Sequence, residues 1–292
     1  MNDPNTNKDK VINKEIYKQI NLQTISPVIL FTFFTQILTI LLTHVYNLGK
    51  VSVPAYEPFG NSIPGSVGNS LMMLVTVFFV TFGLVFLVRK KMYNFIKRFL
   101  SVFVVFASIL IANILTQILL PSIISSNNIF EISIIISLFI GTIIGISTTK
   151  SKYKFLGIIS ALILSVEMSS YFAIFIRPPT VFILPIIFGL YDIYAVFVGP
   201  LKTLIVDDQV TLGPLVVRLG ILQIGLGDIV FYSFLPSVGL ILFGVNAAIA
   251  AVLTTNIGLI ITLLMLRKRK SFPGLPIPVL MAVIGLLLFY YV

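Results

Sequence analysis

The sequence predicts an all-α polytopic membrane protein of nine transmembrane helices, with the N-terminus cytoplasmic and the C-terminus outside. Three observations carry this. Of 292 residues, 58% are hydrophobic and only 10% charged, a balance too apolar for a soluble domain. The apolar residues run continuously for roughly 18 to 25 positions at a time, enough to cross a hydrocarbon core about 30 Å thick as a helix, and show no alternation of the barrel kind. The basic residues fall between these runs and alternate in number from one connection to the next.

Taken in order, residues 1–26 form a polar tail rich in Asn and Lys, with no cleavage site after a short apolar core. This reads as a cytoplasmic tail and not a signal peptide, and Val11 to Ile25 suits either an amphipathic surface helix or disorder. Residues 27–292 then form a single membrane domain. The expected spans are Pro27 to Tyr46, Val67 to Val88, Phe99 to Leu120, Ile129 to Thr149, Phe155 to Ile176 and Val181 to Val198, which fill 27–200. A loop follows at 201–218. The last three, within 219–292, are Leu219 to Leu235, Gly239 to Leu266 and Leu275 to Val292. Gly49 to Ser66, with Pro54, Pro58 and Pro64, reads as an irregular exterior segment.

Sidedness follows from charge. With nine spans, 18 of the 20 Lys and Arg residues share one side, and only Lys50 and Arg177 fall on the other. Short cytoplasmic loops are enriched in Lys and Arg, so the N-terminus is placed inside and the protein in the cell membrane as a multi-pass protein. A charge of +10 set between apolar runs is topology, not a nucleic-acid surface. The chain lacks cysteine, which excludes thiolate nucleophiles and cysteine-bound metals, and its one histidine, His44, cannot by itself make a histidine metal site or a Ser-His triad. No metal or cofactor is expected.

Two aspartates stand out. Asp228 lies in the apolar run from Gln223 to Ser233, and Asp192 in the span before it. A carboxylate inside a spanning helix is costly and needs a reason. Counted along ideal helices, Asp192 and Asp228 lie roughly 12 and 15 Å from the inner ends of the sixth and seventh spans, and are therefore level. Gly189, Ala195 and Gly199 share a face with Asp192, and Gly225 and Gly227 flank Asp228; small residues let membrane helices approach. Two carboxylates so close cannot both ionise cheaply, so the pair is expected to hold one proton. The ionised member can then take a proton from water while the protonated member polarises a carbonyl, which is general acid–base hydrolysis of an amide.

The run Gly225-Leu226-Gly227-Asp228 with Phe231-Tyr232-Ser233, the pair Tyr191-Asp192, and Ala195, Val196, Gly199, Pro200 and Leu201 resemble the presenilin and signal peptide peptidase family of GxGD intramembrane aspartyl proteases. A third signature, proline-alanine-leucine, stands here as Pro273-Gly274-Leu275-Pro276, with glycine for alanine. The resemblance implies that Asp192 and Asp228 are catalytic, and that Tyr191, Gly225, Leu226, Gly227, Pro273, Gly274, Leu275 and Pro276 bind substrate. It also implies transmembrane protein substrates within membrane lipid, and an orientation like presenilins rather than the inverted signal peptide peptidases. Pro273 and Gly274 resist helix and Pro276 suits a first turn, so an unwound segment is expected beside the site. Leu215 to Val217 could form an edge strand that holds an extended substrate. The loop of 201–218 is shorter than the one presenilins cut during maturation, which argues against self-processing. Asp207 and Asp208 are read there as solvated loop charges.

Other polar residues read as structural. Glu167 in the fifth span has no partner carboxylate, and Asn113, Gln117, Asn246 and Asn256 suit interhelical hydrogen bonds. The rival to a protease is a transporter or channel in which the membrane carboxylates bind protons or cations; a silent scaffold for membrane helices is a third reading. The sequence identifies no accessory subunit and no nucleic-acid partner.

Overall fold

The computed structural model describes residues 20–48, 55–123, 128–150, 154–199, 215–267 and 272–289. Among them are nine helices and one antiparallel hairpin: α1 (Leu22–Leu48), α2 (Ile63–Arg89), α3 (Tyr93–Ile123), α4 (Ile129–Lys150), α5 (Lys154–Phe175), α6 (Thr180–Phe197), β1 (Val216–Leu219), β2 (Leu222–Gly225), α7 (Leu226–Phe243), α8 (Val245–Leu266) and α9 (Pro276–Leu287). Helices α1 to α8 are long and apolar enough to cross a membrane. Helices satisfy their own backbone polar groups, which is why they can stand in hydrocarbon. The structure is that of a multi-pass membrane protein.

The core is a bundle of α1, α5 and α7, all in mutual contact, with α8 and α9 packed on its flank. Side-chain hydrogen bonds tie these helices together. Ser169 on α5 donates to the Val230 carbonyl at 3.2 Å, and Ser170 donates to the Thr39 carbonyl at 3.3 Å. Helices α3 and α4 pack so closely that a Cβ on Gly141 or Gly145 would strike the backbone of Ile109 or Val105. Much of α2 turns large apolar side chains outward, as lipid requires.

The structure moves several boundaries. Helix α1 begins at Leu22, where Asn21 Oδ1 accepts from Thr24 N at 3.0 Å, so the helix starts inside the stretch read as tail. Residues 1–19 of that tail lie outside the described residues. The seventh span does not begin at Leu219. Residues 216–225 form the hairpin instead, with Val216 opposite Gly225 and Leu219 opposite Leu222. Its turn places Gly220 at φ +65°, a conformation that glycine adopts without strain. Val217, Leu219, Leu222 and Ile224 point into the core while Arg218 and Gln223 face out. Helix α7 therefore runs on to Phe243 and turns at Gly244, φ +86°, so α8 starts at Val245 and not at Gly239. Helix α9, read as a span to Val292, has 12 residues within the described part, shorter than the ~20 a full crossing takes.

The segment expected to be irregular from Gly49 to Ser66 is so over residues 55–62, held by Asn69, whose Oδ1 accepts from Phe59 N at 2.9 Å, but α2 already starts at Ile63 behind the Ser62 cap.

Candidate active site

Asp192 lies in the last turns of α6 and is half-buried. Its Oδ2 accepts a hydrogen bond from the Leu275 backbone N–H at 3.0 Å. That donor is free for a structural reason. The first N–H groups of a helix have no acceptor within it, and Leu275 is the cap residue from which α9 departs.

Asp228 sits in the first turn of α7, directly after β2. Gly225 is the cap residue of that helix, and its N–H is directed at the Asp228 carboxylate. A side chain at the third helical position reaching back to the cap N–H is the reciprocal half of a capping box, and a helix N-terminus favours a carboxylate. The spacing from Gly225 to Asp228 thus fixes the side chain locally. A Cβ on Gly225 would come within 3.2 Å of Asp228 Oδ2, and one on Gly274 within 3.0 Å. Glycine at both places leaves the carboxylate room.

Helices α6 and α7 make little backbone contact with each other. The expectation that small residues on the sixth span bring it against the seventh is corrected here. Gly189 faces Pro276, to whose Cα a Cβ would stand at 3.4 Å, so the close approach is between α6 and α9. The two aspartates meet because α9 lies against both helices. Leu275 N–H holds Asp192, and the Tyr232 hydroxyl on α7 donates to the Gly274 carbonyl at 2.8 Å. Asp192 and Asp228 are close enough for their charges to act on one another, with Tyr232 in reach of both. The Phe188 and Phe231 rings, 5.2 Å apart, close the apolar side.

Of the residues singled out from sequence, Asp192, Asp228, Gly225, Gly274 and Leu275 converge, with Pro273 and Pro276 buried beside them. Pro273 and Gly274 are non-helical as expected. Leu226 packs in the core, and a Cβ on Gly227 would meet nothing within 4 Å. The half-buried Tyr191 carries a buried hydroxyl without a hydrogen-bond partner among the described residues. Sequence reasoning assigns Tyr232 no role, although its place one turn after Asp228 is the signal that could have found it. Asp207 and Asp208 lie outside the described residues.

The remaining polar residues separate. Asn113 Nδ2 donates to Ser137 Oγ at 3.1 Å across α3 and α4, Gln117 donates to Asn113 within α3, and Asn256 Nδ2 donates to Gln36 Oε1 at 2.6 Å across α8 and α1. Asn246 and His44 are exposed. Glu167 is only 3% exposed, and its Oε2 has no partner among the described residues. A cavity of about 280 Å³ lined by Tyr46, Asn47, Arg177 and Leu242 lies at the far ends of α1, α5 and α7 from the aspartates. It shares no residue with their site.

No protein-family model matches the chain, and no curated protein matches it significantly. Solved structures do. A presenilin family intramembrane aspartate protease in the C222 space group aligns over 92% of this chain and 99% of its own, with a TM-score of 0.63 and 18% identity. A structure of a presenilin family intramembrane aspartate protease in the P2 space group aligns over 93% and 98%, again with a TM-score of 0.63 and 18% identity. The fold of this chain is the fold those proteases share.

Proposed function

We propose that the chain is an intramembrane aspartic endopeptidase that hydrolyses peptide bonds in the transmembrane segments of other membrane proteins. The observation that carries this is the meeting of Asp192 and Asp228, from two helices, beside the unwound backbone of Gly274 and Leu275. In this reading the pair holds one proton. The ionised aspartate takes a proton from a water, which adds to the scissile carbonyl, while the protonated aspartate donates to the carbonyl oxygen. The resulting gem-diol collapses with transfer of a proton to the leaving nitrogen, and the dyad regains its starting proton count.

Substrate would come between α6 and α7, where backbone contact is sparse. Tyr191, Gly225, Leu226, Gly227 and Pro273 to Pro276 are assigned to binding it. The hairpin lies directly before α7, and its strands offer edges to an extended peptide. Residues 1–26 are placed in the cytoplasm, residues 27–292 form one unit in the cell membrane, and the C-terminus lies outside.

The test is cleavage of a single-span substrate by purified protein in detergent, with Asp192→Ala and Asp228→Ala as controls. Cleavage lost in both variants supports the dyad. Absence of product with several substrates, together with aspartate-dependent ion flux in liposomes, would replace this reading with the transporter one.

A further inference from the structure

Pro236 lies inside α7. A helical residue donates its N–H to the carbonyl four positions earlier, and proline has no N–H, so the Tyr232 carbonyl loses its helical donor. In a buried, apolar setting a backbone carbonyl needs another. Gln36 on α1 supplies it: its Nε2 donates to the Tyr232 carbonyl at 3.0 Å, and the side chain is fully buried. The amide cannot turn over freely, because Asn256 Nδ2 on α8 donates to Gln36 Oε1 at 2.6 Å and to its own Val252 carbonyl at 2.8 Å.

The same Tyr232 donates through its hydroxyl to the Gly274 carbonyl, and the next residue, Leu275, donates to Asp192. A continuous set of hydrogen bonds therefore runs from α8 through α1 and α7 to the unwound segment and α6. We infer that Gln36, oriented by Asn256, is a positioning residue that takes over the bond Pro236 deletes and so sets where Tyr232, Gly274 and the two aspartates stand. The kinetic consequence rests on the protease reading above; the geometric one does not.

Removing Gln36 leaves the Tyr232 carbonyl without a donor, and α7 must shift to find one. Displacements of about 1 Å near reacting groups lower rates roughly a hundredfold. The loss should be repaired from within α7 itself, because an alanine at 236 restores the helical N–H. A carbonyl has two lone pairs, so Pro236→Ala alone can accept both donors and remain active.

The test compares wild type, Gln36→Leu, Pro236→Ala and the double variant, with Asp228→Ala as a blank, on a single-span substrate in detergent. Gln36→Leu is expected to lower kcat about tenfold or more with KM within about twofold, and the double variant to return to within about threefold of Pro236→Ala. The same four proteins carrying 3-fluorotyrosine at 232 give an activity-free readout. The fluorine resonance should move in Gln36→Leu and return in the double variant. Equal kcat in wild type and Gln36→Leu, or a double variant as impaired and as shifted as Gln36→Leu, would overturn the inference. If wild type cleaves nothing, the protease reading fails by itself, and the fluorine pattern alone decides whether Gln36 positions Tyr232.

Discussion

At the scale of single residues, the site depends on a few close distances. Gly274 stands so near Asp228 that a Cβ would lie 3.0 Å from its Oδ2 and 3.3 Å from the Tyr232 hydroxyl. A branched side chain has no room there, and Gly274→Val is expected to reduce cleavage below about 1% of wild type while the protein still purifies as a single species. Tyr232→Phe deletes the donor to the Gly274 carbonyl. A hydrogen bond of this kind is worth about 1 kcal/mol net, so a fall of roughly fivefold to tenfold in kcat/KM is expected. A proton shared by the two aspartates, as the proposed function requires, has its own signature. Activity should rise and fall with pH as a bell, because two protonated aspartates leave no base and two ionised ones leave no acid. Asp192→Asn should abolish cleavage across the whole pH range, and residual activity keeping one limb of the bell would contradict the assigned roles. The two aspartates are legible in the sequence, since a carboxylate in an apolar run declares itself. Gln36 is not, because its partner is a backbone carbonyl on another helix, and that carbonyl's need arises from a proline four residues further on.

At the scale of elements, the long helices are readable to within a few residues because their apolar runs are bounded by charge, proline or glycine. The seventh span is not. Val216 to Gly225 alternates in burial, with Arg218 and Gln223 facing out, but the stretch is so apolar overall that its period of two is submerged in a longer helical run. The close approach of α6 is misassigned from sequence for a related reason: small residues announce contact without naming the partner. Helix α9 is seated by such contacts. A Cβ on Gly258 of α8 would stand 2.7 Å from the Pro278 Cα, and one on Gly285 would strike Thr254. Because Gly258 meets backbone, α9 itself must move. Gly258→Ala is therefore expected to lower the thermal midpoint in detergent by about 5 °C and to reduce cleavage, since the displaced α9 carries Leu275 with it. A melt unchanged from wild type would show that α9 tolerates the shift.

At the scale of the whole molecule, hydropathy and charge point to the class of fold, and the likeness of the backbone to presenilin family intramembrane aspartate proteases at 18% identity shows how far that fold persists when sequence similarity has faded. Sidedness can be tested directly, because the chain has no cysteine of its own. A single cysteine replacing exposed His44 is expected to react with an impermeant maleimide on intact cells, and one replacing Lys90 only after lysis. The reverse pattern would invert the topology. Glu167 offers a test between the two functional readings. A buried carboxylate oxygen without a partner costs stability, so Glu167→Gln should melt no lower than wild type and keep its cleavage activity, whereas an ion-coupled protein would lose flux.

The aspartates are brought together across a gap, by a strap that belongs to neither of their helices. At the site two hydrogen bonds hold it, one to Asp192 and one from Tyr232, while buried Pro273, Leu275 and Pro276 and the packing of α9 on α8 seat the rest. On the proposed function, a guest helix entering between α6 and α7 would compete for those two bonds, offering its own backbone to Asp192 and Tyr232 in their place while the seat of α9 on α8 stays as it is.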